Sequence, residues 1–375
     1  MAASLYTQEI LNLHETGKPL LMSMDLRLCA QDQERELINF YKQRNVEWAC
    51  PVKCNLQGDS AVGDGVTRHF FSTVLQKLKY GFNLNLGKQK HRCNICLFEG
   101  EPDHLVPSSS QLLIESDLFL VAGRMLGHSF LHGGPCLTGL RRAFVHVLFH
   151  GSSDTATLQL EDCPDIDVRE TISFLNGQVP LTEDQYSKVL ELCLAWDLPG
   201  PTEENRRWLY ERLLSHAVLG RRTRQMKQIK QGLKDTFVWP LLTDRKDVVL
   251  FPKESEDLCT PEMLLSCIAW PNKSNNDDDD DDDEYPAATK ERIAGFLKQF
   301  IESGSSKDLK NLLRFWVGWE RTEKNMAVEI VKSDLPRSST CFCILRLPGH
   351  YTEFHSFSKD LIMCIGVCKY GFGLV

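Results

Sequence analysis

"LPRSSTCFCILRLPGHY", residues 335–351, holds two cysteines one residue apart between two Leu-Pro pairs. Arg337, Ser338, Ser339 and Thr340 read as a short polar loop, and residues 342–347 as an apolar run of strand length. On that reading Cys341 opens the strand, while Cys343 lies inside it on the face of Leu345 and Leu347. The two cysteines share parity, so alternation does not separate them. Position along the strand does: a residue at the mouth stays accessible while the strand behind it is packed. From the residues alone, a buried structural thiol is the favoured reading of either cysteine.

Working outward, Ile293, Phe296, Leu297, Phe300 and Ile301 share one helix face, and "DLKNLLRFW" reads as a second helix. "MAVEIV" is a run of strand length, and Phe354, Phe357, Leu361 and Ile365 mark a last helix. Helices and strands in this order make a compact α+β module over residues 287–375. Ahead of it, residues 277–283 are seven consecutive aspartates, whose mutual repulsion predicts an extended, mobile segment over 276–286, either a solvated loop or a hinge.

The larger part ahead of it reads as mixed α and β. "VKCNLQGDSAVGDGVTRHFFSTVLQKLKYGF" runs from a strand through a glycine turn into a helix with Phe70, Phe71, Val74, Leu75 and Leu78 on its apolar face. "HRCNICLFEGEPDHLVPSSS" reads as strand and turn, and "DLFLVAGRMLGHSFLHGG" and "GLRRAFVHVLF" as buried helices. From 165 to 270 the pattern is helical, broken at Pro199-Gly200-Pro201.

The chain has 375 residues, of which 42% are hydrophobic and 25% charged, as in a globular protein with a sizeable core. The formal charge of -8 is local, because the eight acidic residues at 277–284 account for all of it. Bulk charge therefore argues for neither a nucleic-acid nor a membrane partner. "MAASLYTQEILNLHETGKPL" lacks a basic segment followed by an apolar run, so a cytoplasmic or nuclear location is expected and the 14 cysteines read as thiols.

Other groupings carry less. Cys50, Cys54, Cys93 and Cys96 have tolerable zinc spacing, but an apparent strand points Cys93 and Cys96 to opposite faces, and buried thiols are the better reading. His128 with His132, and His146 with His150, lack the glutamate of a zincin helix and read as core or surface histidines. "HGGP" at 132–135 has no accompanying nucleophile elbow, and "GDGVTR" does not have dinucleotide-loop spacing. Arg221, Arg222, Arg224, Lys227, Lys230 and Lys234 read as a solvated helix face. No metal or cofactor is expected.

The 335–351 stretch resembles the C-terminal signature of HECT-type ubiquitin ligases: Leu-Pro, then Thr-Cys-Phe, then Leu-Pro and an aromatic. "GDGVTRHFF", "LFEGEPDHLVPSSS", "AGRMLGHSFLHGGP", "LLRFWVGW" and the terminal "YGFGLV" resemble further segments of that family, in the same order. The resemblance implies a bilobal α+β fold with an N-terminal extension over 1–48, an N-lobe over 49–275, a hinge over 276–286 and a C-lobe over 287–375. It implies a ubiquitin-conjugating enzyme, ubiquitin and a protein substrate as partners. Cys341 would be the nucleophile that accepts ubiquitin as a thioester, with Thr340 in support and Phe372 seating the C-terminal tail.

The chain also departs from the family. His69 stands where Glu is usual, Ser339 where His is frequent and Cys343 where Asn is usual. The segment between "DVRETISFL" and "TEENRRWLY" is short and helical, whereas the family has a longer subdomain there that docks the conjugating enzyme. These departures leave a second expectation beside a ligase: a catalytically degenerate HECT-like scaffold that binds ubiquitin or a partner ligase.

Overall fold

A computed structural model describes residues 2–58, 63–84, 94–152, 156–244, 250–271 and 285–367. The chain divides into two compact units whose segments alternate along the sequence. The first comprises Met1–Ile10, Lys77–Leu131 and Cys136–Asp257; the second comprises Leu11–Gln76, His132–Pro135 and Leu258–Val375. Helices and small sheets together make an α+β protein. Among the described residues no helix is long and apolar enough to cross a membrane.

The first unit is mainly helical, as its sequence predicts. Helix Leu118–Leu131 buries Phe119, Val121, Ala122, Met125 and Leu126, and helix Thr223–Asp235 packs along it. Gly123 and Gly232 mark the crossing, where a Cβ on either would run into the backbone of the other helix. Helices Ile166–Ser173, Glu183–Ala195 and Arg206–Val218 follow one another, with the Pro199-Gly200-Pro201 break before the last. Thr182 starts the second of these by accepting from the Gln185 amide, while the Gln185 side chain returns to the Thr182 amide. The strand expected near residue 95 is present only as two-residue pairings, Phe82–Asn83 with Asn94–Ile95 and Phe98–Glu99 with Val106–Pro107.

One expectation for this unit is corrected. Arg222 is no part of a solvated face: it is 2% exposed, on the 3-10 turn before helix Thr223–Asp235. Its guanidinium donates to the Pro107 carbonyl at 2.6 Å, to the Ala217 carbonyl and to Glu99 at 2.8 Å. Helical periodicity does not reveal this, because Pro107 and Glu99, two of the three groups that hold Arg222, lie far away in sequence.

The second unit contains a parallel pair, Leu20–Asp25 with Val52–Gln57, connected through helix Ala30–Lys42. Phe40, Tyr41, Trp48, Phe70 and Phe71 form its aromatic cluster, with Tyr41 stacked on Trp48 at 5.2 Å. Helix Asp64–Tyr80 contributes Phe70, Phe71, Val74 and Leu75 to the buried side, as its periodicity predicts.

The C-terminal part of this unit has a four-stranded sheet in the order Ile268–Ala269, Met326–Val331, Ile344–Pro348, Arg337–Ser339. The first three strands are parallel, and the edge strand is antiparallel. Helices Ala287–Ser303, Ser306–Val317 and Phe354–Val367 supply Ile293, Leu297, Leu312, Trp316, Phe357 and Leu361 to the core above Val328, Leu345 and Leu347. Ser305 and Asp308 form a reciprocal cap at the start of helix Ser306–Val317, and Gly318 ends it at φ 97°. The hinge expected over 276–286 lies outside the described residues except for Tyr285 and Pro286.

Candidate active site

Strands Arg337–Ser339 and Ile344–Pro348 are two arms of one hairpin. Ser339 pairs with Ile344, so the loop is the four residues Thr340, Cys341, Phe342 and Cys343. This corrects two expectations. Residues 337–339 form an edge strand instead of a loop, and the inner strand starts at Ile344, two residues later than its apolar run suggests. Thr340–Phe342 form a single 3-10 turn, and Cys343 closes it in the left-handed region at φ 57°, ψ 36°. Reversing direction in four residues requires a backbone that strand periodicity does not encode.

Left-handed backbone costs an L-residue on the order of 1–2 kcal/mol, and Asn bears it better than Cys. That explains in physical terms why Asn would suit position 343. Here the surroundings hold the strained residue. The Cys343 carbonyl accepts from the Trp316 indole nitrogen at 2.9 Å and from the Ala327 amide at 2.9 Å. The Cys343 amide donates to the Thr340 carbonyl at 3.3 Å.

The loop is also held from helix Asp64–Tyr80. Arg68 Nε donates to the Val317 carbonyl at 2.6 Å, its Nη2 donates to the Thr340 carbonyl, and Nη2 lies 3.7 Å from Cys343 Sγ. Gly63 and Gly65 leave room for this approach. A Cβ on Gly63 would lie 3.2 Å from Cys341 Sγ, and one on Gly65 would strike the Thr340 side chain. On the other side, Arg346 donates to Ser339 Oγ at 2.6 Å and to Glu329 at 2.8 Å.

Within this frame the loop residues differ. Thr340 is 6% exposed, Cys341 is half-buried, Phe342 is 75% exposed and Cys343 is 9% exposed. Burial raises the Cys343 thiol above its ordinary value, and the Arg68 guanidinium only partly opposes this. Cys343 is therefore a protonated packing group at neutral pH. Cys341 is half-buried with its Sγ near Gly63, and the exposed Phe342 follows it. The thiol thus has partial solvent access on a loop whose first and last residues are hydrogen-bonded to distant groups. Thr340 contributes through its carbonyl, which takes both the Arg68 and Cys343 donors. Phe372 lies outside the described residues.

The other candidate groups are placed as follows. Burial raises the thiols of Cys50 and Cys54, the latter to about 12. Cys96 is exposed, and Cys93 lies outside the described residues. Among the described residues no three His, Cys, Asp or Glu side chains gather around a point where an ion would sit. His128 is fully buried, His132 contacts the Trp48 carbonyl at 2.9 Å and stacks on Phe71, and the His146 and His150 rings meet at 4.6 Å. In the 132–135 loop the Gly133 and Gly134 carbonyls accept from Arg321 at 3.0 and 2.9 Å.

Sequence reading missed Arg68, and a signal for it exists. Arg68, Ser72 and Gln76 recur every four residues and so share one stripe of helix Asp64–Tyr80. Ser72 and Gln76 both donate to Glu320, at 2.9 and 2.8 Å, where Arg314 also converges.

The HECT domain (ubiquitin-transferase) profile matches residues 84–375. The chain is similar to the G2/M phase-specific E3 ubiquitin-protein ligases of Macaca fascicularis and Homo sapiens, at 29% and 28% identity over 198 residues. The match takes in 51% of this chain and 26% of each relative, so the matching region is about a quarter of the relatives' length.

Proposed function

The chain belongs to the HECT-domain (ubiquitin-transferase) family, and from that premise we propose that it is a ubiquitin-protein ligase with Cys341 as its acceptor. The observation that carries the reading is the partly exposed Cys341 on a hairpin loop pinned at both ends. The Cys341 thiolate attacks the thioester carbonyl of a charged ubiquitin-conjugating enzyme. A new S–C bond forms, and the conjugating enzyme's thiolate leaves. A substrate lysine amine then attacks the same carbonyl, giving an amide and returning Cys341 as a thiolate while the amine proton passes to solvent. Thioester exchange is nearly isoenergetic and amide formation is downhill, so a thiol serves as both nucleophile and leaving group. A serine at 341 would trap ubiquitin as a more stable ester.

We place an N-terminal extension over 1–48, an N-lobe over 49–275, a hinge over 276–286 and a C-lobe over 287–375, with Phe372 seating the tail. The test mixes the chain with a panel of charged conjugating enzymes and resolves it on a non-reducing gel. The ligase reading requires a ubiquitin adduct that dithiothreitol removes and that Cys341→Ala abolishes while Cys343→Ala retains it. No adduct across the panel, together with retained ubiquitin binding, would instead establish the scaffold reading. Loss with Cys343→Ala alone would move the acceptor to that residue.

A further inference from the structure

We infer that Arg68 is a positioning residue for the acceptor chemistry at Cys341, acting through the Thr340 carbonyl; the inference rests on the ligase reading. Residue 68 lies before the stretch matched by the family profile, yet it reaches the middle of the cysteine turn. The Thr340 carbonyl belongs to the peptide plane whose nitrogen is that of Cys341. Because the peptide is planar, fixing that oxygen fixes the plane and restricts the direction in which the Cys341 side chain leaves the loop. From within the loop the Thr340 carbonyl takes the Cys343 amide and, at 3.8 Å, its thiol, and from outside the loop it takes Arg68.

The guanidinium is itself held. It donates to the Val317 carbonyl, which belongs to the last turn of helix Ser306–Val317, and its carbon lies 5.9 Å from the Trp319 ring centre. A planar fork bridges two carbonyls on separate segments, one before the loop in sequence and one inside it. A lysine is a single point of charge and does not span both. Four residues along the helix, Ser72 anchors the same face to Glu320 without touching the loop, which makes it a matched control.

The experiment uses the full chain and its Arg68→Ala, Arg68→Lys and Ser72→Ala variants in single-turnover loading from a charged conjugating enzyme. In parallel, hydrogen exchange is followed at the amides of Cys343 and Ala327. Arg68→Ala is expected to lower the maximal loading rate roughly 10- to 100-fold, the cost of a misplaced reacting group, with the half-saturating concentration unchanged. Arg68→Lys is expected to recover little of that loss, and Ser72→Ala to stay within about twofold of the parent. Exchange in Arg68→Ala is expected to accelerate at the Cys343 and Ala327 amides and not in helix Phe354–Val367. A wild-type maximal rate in Arg68→Ala, full rescue by lysine, or unchanged protection at the Cys343 amide would each overturn the inference. If the parent accepts no ubiquitin, the ligase reading falls, and exchange at Cys343 alone decides whether Arg68 holds the turn.

Discussion

Replacing Gly65 by alanine sets two effects of opposite sign against each other. Gly65 is the second residue of helix Asp64–Tyr80, and alanine in a helix is favoured over glycine by up to about 1 kcal/mol. Its position against the cysteine turn opposes this. A Cβ there would overlap the Thr340 hydroxyl and lie 2.7 Å from the Thr340 Cβ and 2.9 Å from the Cys341 amide nitrogen. Thr340 is 6% exposed and has no space into which to retreat. Overpacking of this kind costs about 1–3 kcal/mol. The overlap opposes the propensity gain and over most of its range outweighs it, so Gly65→Ala is expected to destabilise by up to about 2 kcal/mol. Gly295, on helix Ala287–Ser303, is the internal control, because nothing lies within 4 Å of a Cβ built there. Gly295→Ala is expected to stabilise by about 1 kcal/mol. In thermal unfolding of a unit this size, 1 kcal/mol moves the midpoint by about 2–4 °C. The two alanines should thus shift it in opposite directions. A Gly65→Ala protein as stable as the Gly295→Ala protein would refute the close seating of the turn on this helix.

Three further outcomes follow from the same structure. Burial and the neighbouring Asp360 carboxylate push the Cys364 thiol up to about 11, and burial together with donation to Asp360 raises Tyr351. A raised folded-state value gives stability that is complete below the ordinary value of 9.0 and is lost as pH climbs through the folded one. The unfolding midpoint should therefore fall from pH 9 upward, and less steeply in Cys364→Ala; a flat profile to pH 11 would contradict the assignment. Arg222→Met leaves the Pro107 and Ala217 carbonyls without their charged donor and should cost about 3 kcal/mol in urea unfolding, whereas exposed Arg221→Ala should change stability by less than about 0.5 kcal/mol. Shortening and stiffening residues 276–286 should slow ubiquitin transfer in a single-turnover assay while leaving the unfolding midpoint in place, and an unchanged rate would reduce that segment to a plain connection.

Much of the architecture was legible because it depends on local spacing. Ile293, Leu297, Phe300 and Ile301 fall on one face at helical period, and all four are buried. Met326–Val331 is the strand its run suggests. The inner hairpin strand was displaced by two residues because Phe342 and Cys343 look like strand residues, while the loop they occupy is shaped by distant partners. Trp316, Ala327 and Arg68 supply the hydrogen bonds that hold Cys343 left-handed, and none of them is its sequence neighbour.

The same division applies to the site. The family and the position of Cys341 near the chain's end were recognisable from ordered short motifs, since those are properties of residue order. Which of the two cysteines is the more accessible was not a matter of alternation, as both share parity. Position in the hairpin loop separates them: Cys341 is half-buried beside the exposed Phe342, and Cys343 is 9% exposed, where burial raises its thiol. The sequence by itself determined the main helices and the strand runs, because hydrophobic period acts over a few residues. Only the tertiary structure decided the pinned loop, the Arg68 fork, the tight seat at Gly65 and the burial of Arg222, because each depends on groups far apart in sequence meeting in space.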